Sequence, residues 1–81
     1  METKRYRVGI TAILDAWNAE VDIEDYSIDK NGRLVIVYCM DERSTARIEA
    51  RWVAGWFGGT FVEWAWDEKG GLDGMVIERK S

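Results

Sequence analysis

Histidine and proline are absent from this sequence, and cysteine occurs once, at Cys39. Without imidazole there is no Ser-His or Cys-His nucleophile pair, no histidine general base and none of the His-bearing zinc sites. A single thiol closes no internal disulfide and cannot by itself supply a four-cysteine zinc site or hold an iron-sulfur cluster. No apolar run approaches the ~20 residues of a membrane helix, and none after residues 1–5 is long enough for a signal peptide. The expected setting is therefore reducing and cytoplasmic, with no membrane contact.

What is present suffices for one folded domain over residues 1–81. Apolar residues make up 47% of the 81, and aromatics 12%, with five Trp among them. That places the chain well away from the disordered class, in which too little apolar surface offsets chain entropy.

Periodicity supplies the elements. Lys4 to Val8 alternates, with Tyr6 and Val8 on one side and Arg5 and Arg7 on the other, as in a short edge strand. Ile10, Ile13, Leu14, Trp17 and Val21 fall on one helical face, which predicts a helix over Ala12 to Glu20 with Thr11 as N-cap. The alternative is a long hairpin turning near Ala16 to Asn18. Two strands then flank Asn31-Gly32, the dipeptide suited to a two-residue type I′ turn. Asp41 to Phe57 reads as a second helix, capped by Ser44 or Asp41, carrying Ile48, Trp52 and Trp56 at every fourth residue with Val53 and Phe57 widening the buried stripe, and stopped by Gly58-Gly59. Thr60 to Trp66 and Gly74 to Arg79 form a closing hairpin. The predicted order is βαββαββ, a ferredoxin-like unit plus a terminal strand, or βββαββ if the first helix fails. Both are α+β domains with an antiparallel sheet and helices on one face.

In the two-residue register Ile28 faces Val35 and Tyr26 faces Val37, so Tyr26, Ile28, Val35, Val37 and Cys39 point under the helices. Leu34, Ile36, Tyr38 and Met40 then form an apolar stripe on the open face, beside Asp25, Ser27 and Asp29. Such a stripe marks a partner surface, for another protein or a second copy of the chain. A sheet that curls would bury it instead, and a slip of one residue exchanges the two faces.

Charge gives the second lead. The formal net charge is −4, yet Asp15, Glu20, Asp22, Glu24, Asp25 and Asp29 follow one another with no Lys or Arg between them. A field of that sign repels nucleic acid and attracts a basic protein surface. In size and charge, with no shared motif, the chain resembles the small acidic phage proteins that block nucleases or CRISPR complexes by phosphate mimicry. Arg43, Arg47 and Arg51 recur every four residues and make a basic stripe on the second predicted helix, which a phosphate could meet. The paired carboxylates alternate along surface strands instead of converging in a pocket, so no catalysis, metal or cofactor is expected. The Trp residues are expected in the helix-sheet core, with Trp17 the least secure, and Cys39 is expected as inert packing.

These features together predict a non-enzymatic protein-binding or inhibitor module. Asp22, Glu24, Asp25, Asp29, Leu34, Ile36, Tyr38 and Met40 are its partner-binding residues, and the partner is basic. The alternatives are a nucleic-acid-associated module using Arg43, Arg47 and Arg51, and a homodimeric structural protein.

Overall fold

A computed structural model describes residues 2–18, 21–40 and 42–80. Within them the chain is a small α+β domain of six strands and two helices. In order these are β1 (Thr3–Gly9), α1 (Ile10–Asn18), β2 (Asp22–Ile28), β3 (Leu34–Cys39), β4 (Arg43–Ile48), α2 (Ala50–Trp56), β5 (Thr60–Trp66) and β6 (Leu72–Lys80). They form two antiparallel three-stranded sheets, ordered β1-β6-β5 and β2-β3-β4. One core joins the sheets: Leu34, Ile36 and Ile48 from one, Leu72, Met75 and Ile77 from the other, Ile13 from α1, and Val53 and Ala54 from α2. Each aliphatic side chain taken fully from water contributes about 1.5–3 kcal/mol.

The predicted single sheet with the order βαββαββ is corrected by β4. Residues 43–48 are strand, with Ser44, Ala46 and Ile48 opposite Tyr38, Ile36 and Leu34. The predicted helix of residues 41–57 is thereby reduced to α2, and Ser44 lies in a strand instead of capping a helix. The other suggested cap, Asp41, lies outside the described residues. The helix stop is as expected: Gly58 has φ +73°, and the Gly58 and Gly59 amides donate to Gly55 and Ala54 in a Schellman pattern.

Helix α1 forms in place of the hairpin alternative. Its spacing does what amphipathic spacing should: Ile13 is fully buried, and Ile10, Leu14 and Trp17 pack around the core. The helix starts at Ile10, so Thr11 is inside it and is not its cap.

The two hairpins share one turn design. Asp29 N–H donates to the Arg33 carbonyl, and Asp67 N–H donates to the Gly71 carbonyl. Each Asp side chain also accepts two backbone amides, those of Asn31 and Arg33 at 2.8 and 2.9 Å, and those of Lys69 and Gly71 at 2.9 and 2.8 Å. Gly32 and Gly70 sit at φ +81° and +82°, where a Cβ is strained. This is the three-residue loop with a glycine bulge, and it replaces the expected two-residue type I′ turn. It sets Ile28 opposite Leu34, Ser27 opposite Val35, Tyr26 opposite Ile36 and Asp25 opposite Val37, one residue from the predicted pairing.

Candidate functional site

That single-residue slip turns β3 over. Leu34 and Ile36 are fully buried, and Tyr38 packs half-buried on the core with its ring 4.9 Å from that of Trp17. Three of the four apolar residues expected on the open face thus belong to the inner one, because a period of two moves every side chain when the register moves by one. Met40, just beyond the strand, is 64% exposed. The outer face instead carries Val35, Val37 and Cys39, and the cysteine expected in the core is exposed.

Around that apolar strip the charges are sorted. The registers give three rows across β2, β3 and β4: Ser27, Val35, Arg47; Asp25, Val37, Thr45; and Asp22, Cys39, Arg43. The acidic margin lies on β2 and the basic margin on β4, with β3 between. A bulge after Ile23 inserts Glu24, whose carboxylate reaches across β3 to Arg43 at 3.3 Å.

The predicted acidic site therefore divides. Asp29 belongs to the turn: it pairs with Arg33 at 3.3 Å. The Arg33 amide, assisted by the Asn31 amide and the Arg33 charge, holds its carboxyl below the usual 3.8, against partial desolvation. Glu24 is engaged by Arg43. Asp25 accepts the Tyr26 amide at 2.8 Å. Among the described residues, Asp22 and Asp25 have no cationic partner, and Asp15 is exposed on α1. Glu20 lies outside the described residues.

The predicted arginine stripe is not helical. Arg43 and Arg47 are on β4, exposed together with Thr45, and Arg51 alone is on α2. A spacing of four puts residues on one side of a strand as readily as on one side of a helix.

Helix α2 holds what sequence reading missed. It buries Val53 and Ala54, with Ala50 and Phe57 packed beside them, and so turns Trp52 and Trp56 outward at 56% and 42% exposure. The Arg51 guanidinium lies over the Trp52 ring, 5.8 Å from its centre. Val53 and Phe57, expected to widen the buried stripe, form with Ala50 and Ala54 a stripe as regular as 48, 52 and 56, and that stripe is the signal that separates the buried side from the two tryptophans. Trp64, by contrast, faces inward as expected, and its Nε1 donates to the Gly32 carbonyl at 2.9 Å, linking the two sheets, whereas Trp66, expected in the core beside it, lies at the strand end and is exposed.

An open cleft of about 550 Å³ lies beside the α2–β5 turn, lined by Gly58, Gly59, Thr60, Thr3, Glu78, Arg79 and Lys80. Glu78 is paired there with Arg5 at 3.8 Å, and Arg79 lies over the Tyr6 ring. Among the described residues no three His, Cys, Asp or Glu side chains are grouped to hold a metal ion, and no helix is long and apolar enough to cross a membrane. In comparisons with protein-family models, curated proteins and solved structures, nothing matches this chain.

Proposed function

We propose that the chain is a non-catalytic protein-binding module that contacts its partner through Trp52, Trp56 and Arg51. The observation that carries this reading is the outward pair of tryptophans. Large aromatic rings at i and i+4 on a two-turn helix contribute little to the fold when half exposed, yet they are the side chains that dominate contact energies when a partner covers them. An arginine stacked on one ring completes a composition enriched at interface centres. The partner that fits is an apolar groove with a carboxylate at its rim to receive Arg51. The more specific reading, an inhibitor that offers carboxylates in place of phosphates to a basic protein, rests on Asp22 and Asp25, because Glu24 and Asp29 are already held by arginines.

Arg51 over Trp52 also favours a second reading, a base-stacking platform for single-stranded nucleic acid. The two separate cleanly. Affinity capture with the wild-type chain is expected to retain a protein that the Trp52→Ala and Trp56→Ala variants lose, with the variants folded by circular dichroism. Tryptophan quenching by an oligonucleotide that weakens steeply with added salt would transfer the surface to the second reading.

A further inference from the structure

We infer that the outer face of the β2-β3-β4 sheet is a contact between two copies of this chain, packed face to face about a two-fold axis parallel to β3. The inference goes beyond the α2 reading and uses none of Arg51, Trp52 or Trp56; it takes Asp22 and Asp25 from the inhibitor reading, which a dimer covering them excludes.

The charge pattern specifies the occupant. A basic partner would be repelled by Arg43 and Arg47 on β4, and an acidic one by Asp22 and Asp25 on β2. A second copy meets neither objection if its margins are exchanged. Face-to-face packing of identical sheets requires a two-fold axis in the plane between them. An axis across the strands would stack β2 on β2 and β4 on β4, like charge on like. An axis along β3 sets β2 of each copy over β4 of the other. Asp22 then lies over Arg43 of the second copy, and Asp25 over Thr45, flanked by Arg43 and Arg47 of that copy, as follows from the registers. Val35, Val37 and Cys39 each lie over their own counterparts in the centre. An apolar centre with a charged rim is the anatomy of protein interfaces. With three outward residues on β3, three on β4 and four on β2, where Glu24 of each copy stays paired with its own Arg43, the face is small, so the dimer is expected to form in the micromolar range.

Cys39 reports the axis. Sheets packed face to face are about 10 Å apart, so the chain's one thiol faces its own copy within reach of a short bis-maleimide. About the rejected axis the two thiols are separated along β3 as well, beyond that reach. We expect sedimentation equilibrium of the full chain to show a monomer–dimer equilibrium, and the bis-maleimide to trap the dimer. Asp25→Arg and Arg47→Glu should each raise the dissociation constant at least about tenfold, because at both symmetric positions the former sets an arginine between Arg43 and Arg47 of the second copy and the latter sets a glutamate diagonal to that copy's Asp25. The double variant, which restores that diagonal with the signs exchanged, should recover much of that loss. Both residues are exposed, so the variants are expected to fold, which circular dichroism checks. Trp52→Ala should leave the dimer unchanged. A chain that stays monomeric at high micromolar concentration, or a dimer indifferent to the single charge reversals or not restored by the double, would overturn the inference. Neither result would bear on partner capture by Trp52 and Trp56.

Discussion

The outer faces of the two sheets handle charge in opposite ways. On the β1-β6-β5 sheet, cations and carboxylates are neighbours: Arg5 pairs with Glu78 on the adjacent strand, and Arg7 with Asp73. On the β2-β3-β4 sheet, they are held apart by an apolar strand, and among the described residues only Glu24 and Arg43 meet across it. Among the described residues the first arrangement leaves Glu63 on β5 without an ion pair but engages the arginines of β1. Among the described residues, the second leaves Asp25 and Arg47 without an ion pair beside half-covered valines. Exposed ion pairs contribute little to stability, so the contrast concerns what each face can bind more than what holds the fold.

Inner and outer positions of β3 should differ most. Leu34→Ala or Ile36→Ala is expected to cost about 2–5 kcal/mol in urea denaturation, as for other fully buried aliphatics. Val35→Ala or Val37→Ala should cost less than about 1 kcal/mol. Similar losses at both sets would mean that both faces are covered in the monomer.

The link between the sheets comes next. Gly32→Ala and Gly70→Ala, placed at matching positions of the two hairpins, should each cost about 1 kcal/mol. Trp64→Phe keeps the ring in the core but loses the bond to the Gly32 carbonyl, at about 1 kcal/mol by denaturant titration. Unequal glycine variants would show that the shared turn design carries different loads in the two sheets.

The smallest effect is pH-dependent. Because the Asp29 carboxyl is held below its ordinary value, the folded state releases that proton more readily than the unfolded chain. The resulting stability is present above the unfolded value near 4 and is lost as pH falls through the lower folded value. Asp29→Asn should therefore show a shallower loss of stability between neutral pH and pH 3 than the wild type. An unchanged acid slope would remove Asp29 from the list of groups that link folding to protonation.

Much of this architecture is legible in the sequence where one signal outruns its rivals. The face of Ile10, Ile13, Leu14 and Trp17 extends beyond the competing alternation of Ile10, Ala12 and Leu14, and Gly58-Gly59 follows its helix as a C-terminal stop should. Failure came where two periods share a spacing. Arg43, Arg47 and Arg51 suit helix and strand alike, and the alternation of Ser44, Ala46 and Ile48 was hidden by it. The hairpin register was lost because Asn31-Gly32 fits two loop lengths, and the deciding residue is Asp29, whose side chain caps the longer loop. The same Asp-X-X-Gly pattern at residues 67–70 was present in the sequence as a guide. The proposed interaction surfaces escape a sequence reading for the same causes: the register hides Val35 and Val37, and the habit of burying tryptophan hides Trp52 and Trp56.

The orientation of β3 underlies both the core and the open face, and Cys39 tests it directly. In dilute solution, where any dimer is dissociated, the native chain should react with a thiol reagent at nearly the rate of a small-molecule thiol, without denaturant. Reaction slowed to the rate of global unfolding would place Cys39 in the core, turn Leu34 and Ile36 outward, and contradict the register on which the proposed dimer face rests.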